Sequence, residues 1–306
     1  MNTSLGEWLR GVLAGHHLRR IIARHVGRLG ALLVLAVALS ACTAARLAYN
    51  QAPTLSYWWL DSHVDLDDLQ ATQAREALDR FFLWHRQNEL PVYADVLRRW
   101  QVMASADITA GQACEQFDEV RRRLELAADQ TVEPFARLAL QLTPAQIEHL
   151  QRHLARGNEA FEKDFLRGSA DQRIKKRLDD AVGRNERIYG TLSSAQRQRL
   201  RDLLQASPFD AQRTQTERLR RQADLLQTVR DAQASPDRAA SLVRAYFARI
   251  GHSPTPGYDA YSRDLVRHGC TLFTTLHNST SPEQRAHAAR VLGSYEDDFR
   301  ILSAQR

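Results

Sequence analysis

The stretch LTPAQIEHLQRHL, Leu142–Leu154, contains the local signal that decides the fold. Thr143 has the side chain of a helix N-cap, Pro144 suits the first helical position, and Gln146 completes a capping box. Beyond this start, apolar side chains recur every three or four residues through segment 144–167. The cap and the apolar face together predict an amphipathic α-helix that buries one side.

The same signals recur elsewhere in the chain. Capping boxes begin at Ser193 and Ser281, each with glutamine three residues later, and apolar stripes with helical spacing run through 66–89 and 282–303. No segment shows the sustained apolar and polar alternation that marks strands. Amphipathic helices are stable when their stripes bury against one another. The sequence therefore predicts an all-α protein, an elongated multi-helix bundle.

The composition is that of a folded chain, but its charge is uneven. The 306 residues are 43% hydrophobic and 25% charged, with a formal net charge of +6. Residues 1–41 hold five arginines and one glutamate, so their net charge of +4 accounts for most of the net +6. The remainder interleaves arginines with almost as many acids. We therefore expect no nucleic-acid partner, because no basic domain is left to neutralise phosphates.

The amino-terminal segment has the order of a secretory signal peptide. A basic region precedes the apolar run Leu29–Leu39. The residues Leu39-Ser40-Ala41-Cys42 resemble the bacterial lipobox. In that motif the cysteine receives a diacylglycerol thioether, is freed by the lipoprotein signal peptidase and is then N-acylated. The pattern predicts lipidation at Cys42.

This prediction defines the domains and the location. Residues 1–41 would be the lipoprotein signal peptide, and 42–306 a single helical periplasmic domain without long linkers. Thr43, in place of aspartate, implies the outer membrane and a periplasm-facing domain, by resemblance to sorting rules in Gram-negative bacteria. An uncleaved anchor is the alternative, because the uncharged run Leu29–Ala45 has 17 residues, near the lower limit of a spanning helix.

An aromatic segment follows the predicted anchor. Tyr57, Trp58 and Trp59 are consecutive, and Leu60 comes next. One interpretation is that Tyr57, Trp58 and Leu60 pack as core. The alternatives are that Tyr57, Trp58 and Trp59 contact the membrane interface or form a patch that binds a partner.

This region resembles a known family. The resemblance rests on Arg46-Leu47-Ala48-Tyr49-Asn50, Tyr57-Trp58-Trp59-Leu60-Asp61, Asp65, Phe81-Phe82-Leu83-Trp84-His85, Leu90, Pro91 and Tyr93. It is similar to uncharacterised proteobacterial lipoproteins defined as domain of unknown function 6279. The resemblance extends over most of the mature chain and implies a lipid anchor and a helical periplasmic body. It implies no activity and no catalytic residues.

Two cysteines remain beyond Cys42. An oxidising periplasm permits a disulfide between Cys114 and Cys270. Each could instead be a small buried hydrophobic residue, and Cys114 lies in a helical pattern. The sequence leaves both interpretations open.

Candidate metal ligands have unsuitable spacing. Asp61, His63 and Asp65 would converge only on an extended segment, and aspartates here also suit a helix N-terminus. His149 and His153 have the i, i+4 spacing of a zinc pair, but the glutamate of the HExxH motif is absent, so we expect both in solvent. We predict no metal site.

Catalytic signatures are absent from the sequence. We expect His85, on an apolar stripe, to be a hydrogen-bonded core histidine. The chain has no GxSxG elbow, no phosphate-binding GxxxxGK[ST] loop and no GxGxxG motif. We therefore predict a non-enzymatic protein without a cofactor.

These observations predict an outer-membrane lipoprotein, held to the membrane through Cys42, that acts by non-covalent contacts with envelope proteins. A chaperone-like binder of unfolded proteins is the first alternative, because Leu142-Thr143-Pro144-Ala145-Gln146 resembles a motif of small periplasmic stress chaperones. A large exposed apolar concavity would favour it. A hydrolase of envelope polymers is the second, and it would need a cleft with convergent acids or histidines of perturbed pKa.

Overall fold

The computed structural model describes residues 45–305, so Leu39, Ser40, Ala41 and Cys42 lie outside the described residues. The chain divides into two units, Met1–Asn50 and Gln51–Arg306. In the first unit, residues 45–50 are helical. The described part of the second contains twelve α-helices and one short 3-10 helix, Pro236–Arg238, and no strand. The prediction of an all-α multi-helix fold is confirmed.

The helices follow one another through short turns. Their bounds are α1 Ala52–Val64, α2 Asp68–Asn88, α3 Leu90–Ala104, α4 Ala110–Asp129, α5 Val132–Gln141, α6 Pro144–Phe165, α7 Ala170–Tyr189, α8 Ser194–Gln205, α9 Ala211–Ala234, α10 Ala239–Gly251, α11 Tyr258–Asn278 and α12 Pro282–Ala304.

Six of these helices begin with a capping box that has glutamine at the third position. The predicted boxes at Thr143, Ser193 and Ser281 are confirmed. Three more boxes begin at Asp67, Thr109 and Ser169. In each box the N-cap side chain accepts from the glutamine N–H, and the glutamine side chain accepts from the N-cap N–H.

Two of these boxes interlock where α1 turns into α2 and α5 turns into α6. Gln70 Nε2 donates to the carbonyl oxygen of Gln141 at 3.0 Å, and Gln146 Nε2 donates to that of Asp65 at 2.7 Å. The two side-chain amides also bond to each other, and both glutamines are buried. The turn of one helical hairpin therefore satisfies backbone groups in the turn of the other.

The same arrangement joins the turn between α7 and α8 to the turn between α11 and α12. Gln196 Nε2 donates to the carbonyl oxygen of Ser279 at 3.0 Å, and Gln284 Nε2 donates to that of Thr191 at 2.9 Å. Again the two amides bond to each other. The acceptor in every case lies two residues before the partner N-cap, so the two pairs share one geometry.

The two halves of this unit follow the same plan. In α1–α6 and in α7–α12, two interlocked hairpins are separated in sequence by two connecting helices. The connecting helices pack on the opposite half: α3 lies against α12, α4 against α11, and α10 against α5. Each half therefore completes the packing of the other.

The buried side chains form two principal clusters. One joins the end of α1 to α5, α9 and α10, and is centred on Val132, Val229 and Val243. The other joins α3, α7, α8, α11 and α12, and is centred on Leu200 and Leu276. A smaller cluster surrounds Cys270. Burial of these stripes is what holds the amphipathic helices together.

Candidate binding site

The aromatic segment lies on α1 and divides between two faces of that helix. Tyr57 is 7% exposed, with the guanidinium of Arg75 3.4 Å from its ring centroid, and Leu60 is partly buried. Trp58 and Trp59 are 59% and 63% exposed. The core interpretation holds for Tyr57 and Leu60 and is wrong for Trp58, because the helical period turns Trp58 away from the buried face. Buried Tyr57 is not available to a membrane or partner.

Trp59 lies at a groove between α1, α2 and α5 with a volume of about 790 Å³. Leu55 and Trp59 contribute from α1, and Phe135 and Leu138 from α5. On α2, the lining includes Ala74, Ala77, Leu78, Phe81 and Phe82. The small alanines leave space between larger apolar walls, so the groove is concave and mostly apolar, as binding sites usually are.

Three exposed charged residues also line the groove. The Arg80 and Glu76 side chains form an ion pair with an N–O distance of 3.7 Å. Arg137, on α5, has no ion-pair partner among residues 45–305. The groove therefore carries one uncompensated positive charge beside an apolar lining.

A second cavity of about 580 Å³ shares part of this lining. Trp59, Leu60, Phe135 and Leu138 border both spaces, and the second extends between α5, α6 and α9. Trp58 lines neither of them. The two spaces are therefore contiguous at Trp59.

Glu217 lies at the far side of this second cavity and is almost completely buried. Burial by itself would raise its pKa. Hydrogen bonds from Arg220, Arg221, Thr255 and Ser253 outweigh burial and lower the pKa to about 2. The carboxylate is therefore held ionised in a closed network, in contrast to a catalytic acid, whose pKa is raised towards neutrality.

Three histidines meet where the end of α1 packs on α6. The ring centroids of His63 and His153 are 3.6 Å apart, and His149 Nε2 is 3.2 Å from the carbonyl oxygen of Ser62. Burial lowers the pKa of His153, as do the neighbouring charges of His63 and Arg156. His149 and His153 remain partly exposed, and α1 contacts both of them, so the expectation that they lie in solvent holds only in part.

The aspartates at the turn between α1 and α2 lie at the helix ends, where they bond to or terminate the backbone of these helices. Asp61 Oδ1 accepts from the N–H of Leu66 at 3.0 Å, and Asp67 caps α2. Asp65 is the left-handed residue that ends α1, with φ of 61°. Within residues 45–305, no three histidine, cysteine or acidic side chains are placed to hold a metal ion.

Cys114 and Cys270, whose pairing the sequence left open, are joined by a disulfide. Their Cα atoms are 5.4 Å apart, and the bond ties α4 to α11 across 156 residues of sequence. His85 is half-buried beside Phe81 and Tyr93, and burial lowers its pKa. This environment agrees with a core histidine.

The residues of α5 were not identified by sequence reasoning. Phe135, Arg137 and Leu138 belong to the groove only because α5 packs beside α2. Their spacing predicts a helix but does not say which helix lies opposite. The available signal in the sequence was the adjacent pair Trp58 and Trp59, two of the five tryptophans of the chain.

The fold is all-α, and an open, mostly apolar groove lies between α1, α2 and α5. The family described as "Family of unknown function (DUF6279)" matches residues 62–245, which is more than half of the chain, and the chain belongs to this family. The match begins just after the segment Tyr57–Asp61. No match was found among the curated proteins or the solved structures. Among the helices described here, none combines the length and hydrophobicity needed to span a membrane.

Proposed function

We propose that this protein is a lipid-anchored, non-catalytic protein of the outer membrane, facing the periplasm, that binds the apolar face of an amphipathic helix of a partner protein. The proposal rests chiefly on one observation, the open groove of about 790 Å³ between α1, α2 and α5. Its lining is formed by Trp59, Phe81, Phe135 and other apolar side chains. Aromatic anchors in a concave surface are typical of binding hot spots.

The lining of α2 supports a helical occupant. Ala74, Ala77 and Phe81 have the i, i+3, i+7 spacing that follows one side of a helix, so the groove runs along α2. An amphipathic helix fits such a trough by laying its own i, i+3 and i+7 anchors into it. Its peptide groups are bonded internally, so they need no partners from the apolar walls.

The charge of the groove selects among such helices. Arg137 has no ion-pair partner in the described chain, whereas Arg80 is paired with Glu76. A partner with an acidic residue beside its apolar face would pair with Arg137. A basic amphipathic helix would place like charges together and bind more weakly.

The lipid anchor and the location are proposed from the sequence. Leu39-Ser40-Ala41-Cys42 resembles the lipobox, and Ala52, where α1 begins, is ten residues beyond Cys42. Acylation of Cys42 would therefore keep a tryptophan-bearing helix close to the bilayer. Three acyl chains exceed the two signals that stable membrane anchoring requires.

Two adjacent tryptophans provide the test. Trp59→Arg places a charge in the groove, whereas Trp58→Arg changes an equally exposed residue that lines neither cavity. Binding of a fluorescent amphipathic helical peptide with an acidic flank would be measured by anisotropy with purified protein. We expect at least tenfold weaker binding for Trp59→Arg and a change of less than twofold for Trp58→Arg.

A matched peptide with the flanking acids replaced by lysine tests the role of Arg137. We expect Arg137→Glu to reverse the preference between the two peptides. Equal binding of both tryptophan variants, or no binding of either peptide to the wild type, would show that this groove does not receive such a helix.

A chaperone-like role is a second candidate, because apolar exposure extends beyond the groove. Trp58, Leu69 and Leu83, which do not line the groove, are each about half exposed or more. A holder of unfolded chains would suppress aggregation of several unrelated reduced proteins. The proposed helix-binding protein would bind one class of peptide saturably and leave that aggregation unchanged.

A further inference from the structure

A separate apolar cavity of about 670 Å³ lies between α3, α4, α7, α11 and α12. Its eighteen lining residues, all within the described chain, include no charged side chain. Phe117 and Phe273 stand at its opening, 50% and 42% exposed. The volume is within the range of about 300–1,000 Å³ that small-molecule sites occupy.

The polar groups of this lining are largely engaged within the protein. Trp100 Nε1 donates to Gln116 Oε1 at 2.8 Å. His277 Nε2 is 2.8 Å from the Ala106 carbonyl oxygen, which can only accept, so Nε2 carries the proton. The Tyr189 hydroxyl is 2.9 Å from His277 Nδ1, so both ring nitrogens have partners within the protein. A ligand that enters the cavity finds apolar surface and few free hydrogen-bonding groups.

The corresponding cavity of the other half provides a comparison. Leu150 and Leu154 line it seven and eleven residues after the N-cap Thr143, and Ala288 and Leu292 line this one at the same distances after Ser281. The former also has a charged side, which contains Glu217, Arg218 and Arg221. The lining of the cavity beside α4 and α11 has no acidic residue, lysine or arginine. The part of a ligand that enters this cavity therefore needs no charged group.

We propose that this cavity binds one linear hydrocarbon chain of an acyl lipid, with the polar headgroup left at the opening beside Phe117 and Phe273. A peptide is a poorer occupant, because each residue would bring an N–H and a C=O that the lining cannot satisfy. A hydrocarbon chain brings no polar group and is stabilised by the area it removes from water. The disulfide keeps α4 and α11, two walls of the site, together.

Gly269 allows the cavity to be filled. It lines the space on α11, and a Cβ atom built there meets no atom within 4 Å. Gly269→Leu therefore adds a side chain at the site without a backbone clash. Gly183→Leu is the matched control, because Gly183 also has open space at Cβ but lies on α7 outside the cavity lining.

The first measurement is the fluorescence of dansyl-labelled undecanoic acid added to purified protein whose folding has been checked by circular dichroism. We expect the wild type and Gly183→Leu to bind the probe and Gly269→Leu to bind at least tenfold more weakly. Hexadecanoic acid should displace the probe, and the acidic helical peptide should not. Equal binding by Gly269→Leu, or no binding by the wild type, would overturn the proposal.

A second measurement does not depend on Gly269→Leu folding. Dibromostearate should quench the tryptophan fluorescence of the wild type, because Trp100 lines the cavity. Trp100→Phe should lose most of this quenching, and Trp59→Phe should keep it. If Trp59→Phe instead lost the quenching and Trp100→Phe kept it, the hydrocarbon chain would bind in the groove beside α1, and the proposed site would be wrong.

Two further experiments identify the lipid that supplies the hydrocarbon chain and distinguish the cavity from the groove beside α1. Displacement of the probe by phosphatidylglycerol vesicles as well as by hexadecanoic acid would identify a phospholipid chain, and displacement by the free acid alone would identify a fatty acid. Trp59→Arg should lose peptide binding and keep probe binding. Failure of the helix-binding proposal would therefore leave the hydrocarbon site intact.

Discussion

The side-chain amides of Gln70 and Gln146 bond to each other, with 2.6 Å from Gln146 Nε2 to Gln70 Oε1 and 3.2 Å in the reverse direction. Each glutamine also caps its own helix and donates to a backbone carbonyl of the opposite turn. One side chain therefore fulfils three structural tasks. This arrangement explains why glutamine, and not glutamate, occupies these positions: a carboxylate could accept but could not donate.

Removal of one such glutamine should be costly. Gln146→Ala deletes a cap and leaves the carbonyl of Asp65 and the amide of Gln70 without their buried partner, at about 1–3 kcal/mol for each unsatisfied group. We expect a loss of about 2–4 kcal/mol in the free energy of unfolding. Urea denaturation measures it.

The control for this prediction is Gln112→Ala. Gln112 completes an exposed capping box at Thr109 and makes no contact with a second box. We expect a loss of at most about 1 kcal/mol there. Equal losses for the two variants would mean that the pairing of boxes adds nothing to stability.

The disulfide should contribute substantially to stability. A bond between Cys114 and Cys270 restricts a loop of more than 150 residues in the unfolded chain. The double variant Cys114→Ser/Cys270→Ser should lose about 2–5 kcal/mol. Thermal unfolding of the oxidised protein with and without reductant measures the difference. If reductant lowers the melting temperature of the double variant equally, the effect is unrelated to this bond.

Glu217 should make stability fall in acid. Its pKa is lowered to about 2 in the folded protein by its hydrogen bonds, against 4.5 as the ordinary value. A lowered folded-state pKa contributes stability that is present above the ordinary pKa and is lost as the pH falls towards the folded value. We expect a loss of about 1–3 kcal/mol between about pH 5 and pH 2.

Urea midpoints at several pH values test this prediction. Glu217→Gln should flatten the acid limb of the stability profile, whereas Glu148→Gln should leave it unchanged. Glu148 is paired with Arg152 on the surface, where both side chains are more than half exposed. If the stability of Glu217→Gln still falls in acid as much as that of the wild type, the loss of stability is due to other carboxylates.

The lipid anchor makes a prediction about mass. In the native host, the mature protein should begin at Cys42, lack residues 1–41 and carry added acyl mass. Cys42→Ala should lose the acyl mass and the outer-membrane fractionation. Intact mass spectrometry and membrane fractionation measure both. Full-length mass in the wild type, with no change in the variant, would instead indicate an uncleaved inner-membrane anchor.

The sequence by itself determined the helical class and several helix starts. Thr143, Ser193 and Ser281 act through residues three positions away, so their capping boxes can be read from a few consecutive letters. The predicted helices over 66–89, 144–167 and 282–303 differ from those observed by at most two residues at either end. Capping hydrogen bonds and the helical spacing of apolar residues depend only on residues close in sequence, so they can be predicted without the tertiary structure.

Only the tertiary structure decided which surfaces meet. Gln70 and Gln146 are 76 residues apart, Cys114 and Cys270 are 156 apart, and nothing in their local sequence specifies the partner. The exposure of Trp58 and the groove beside Trp59 depend on the packing of α1, α2 and α5. An apolar stripe requires that a helix be covered, but the shapes of all the other helices determine what covers it and where a groove stays open.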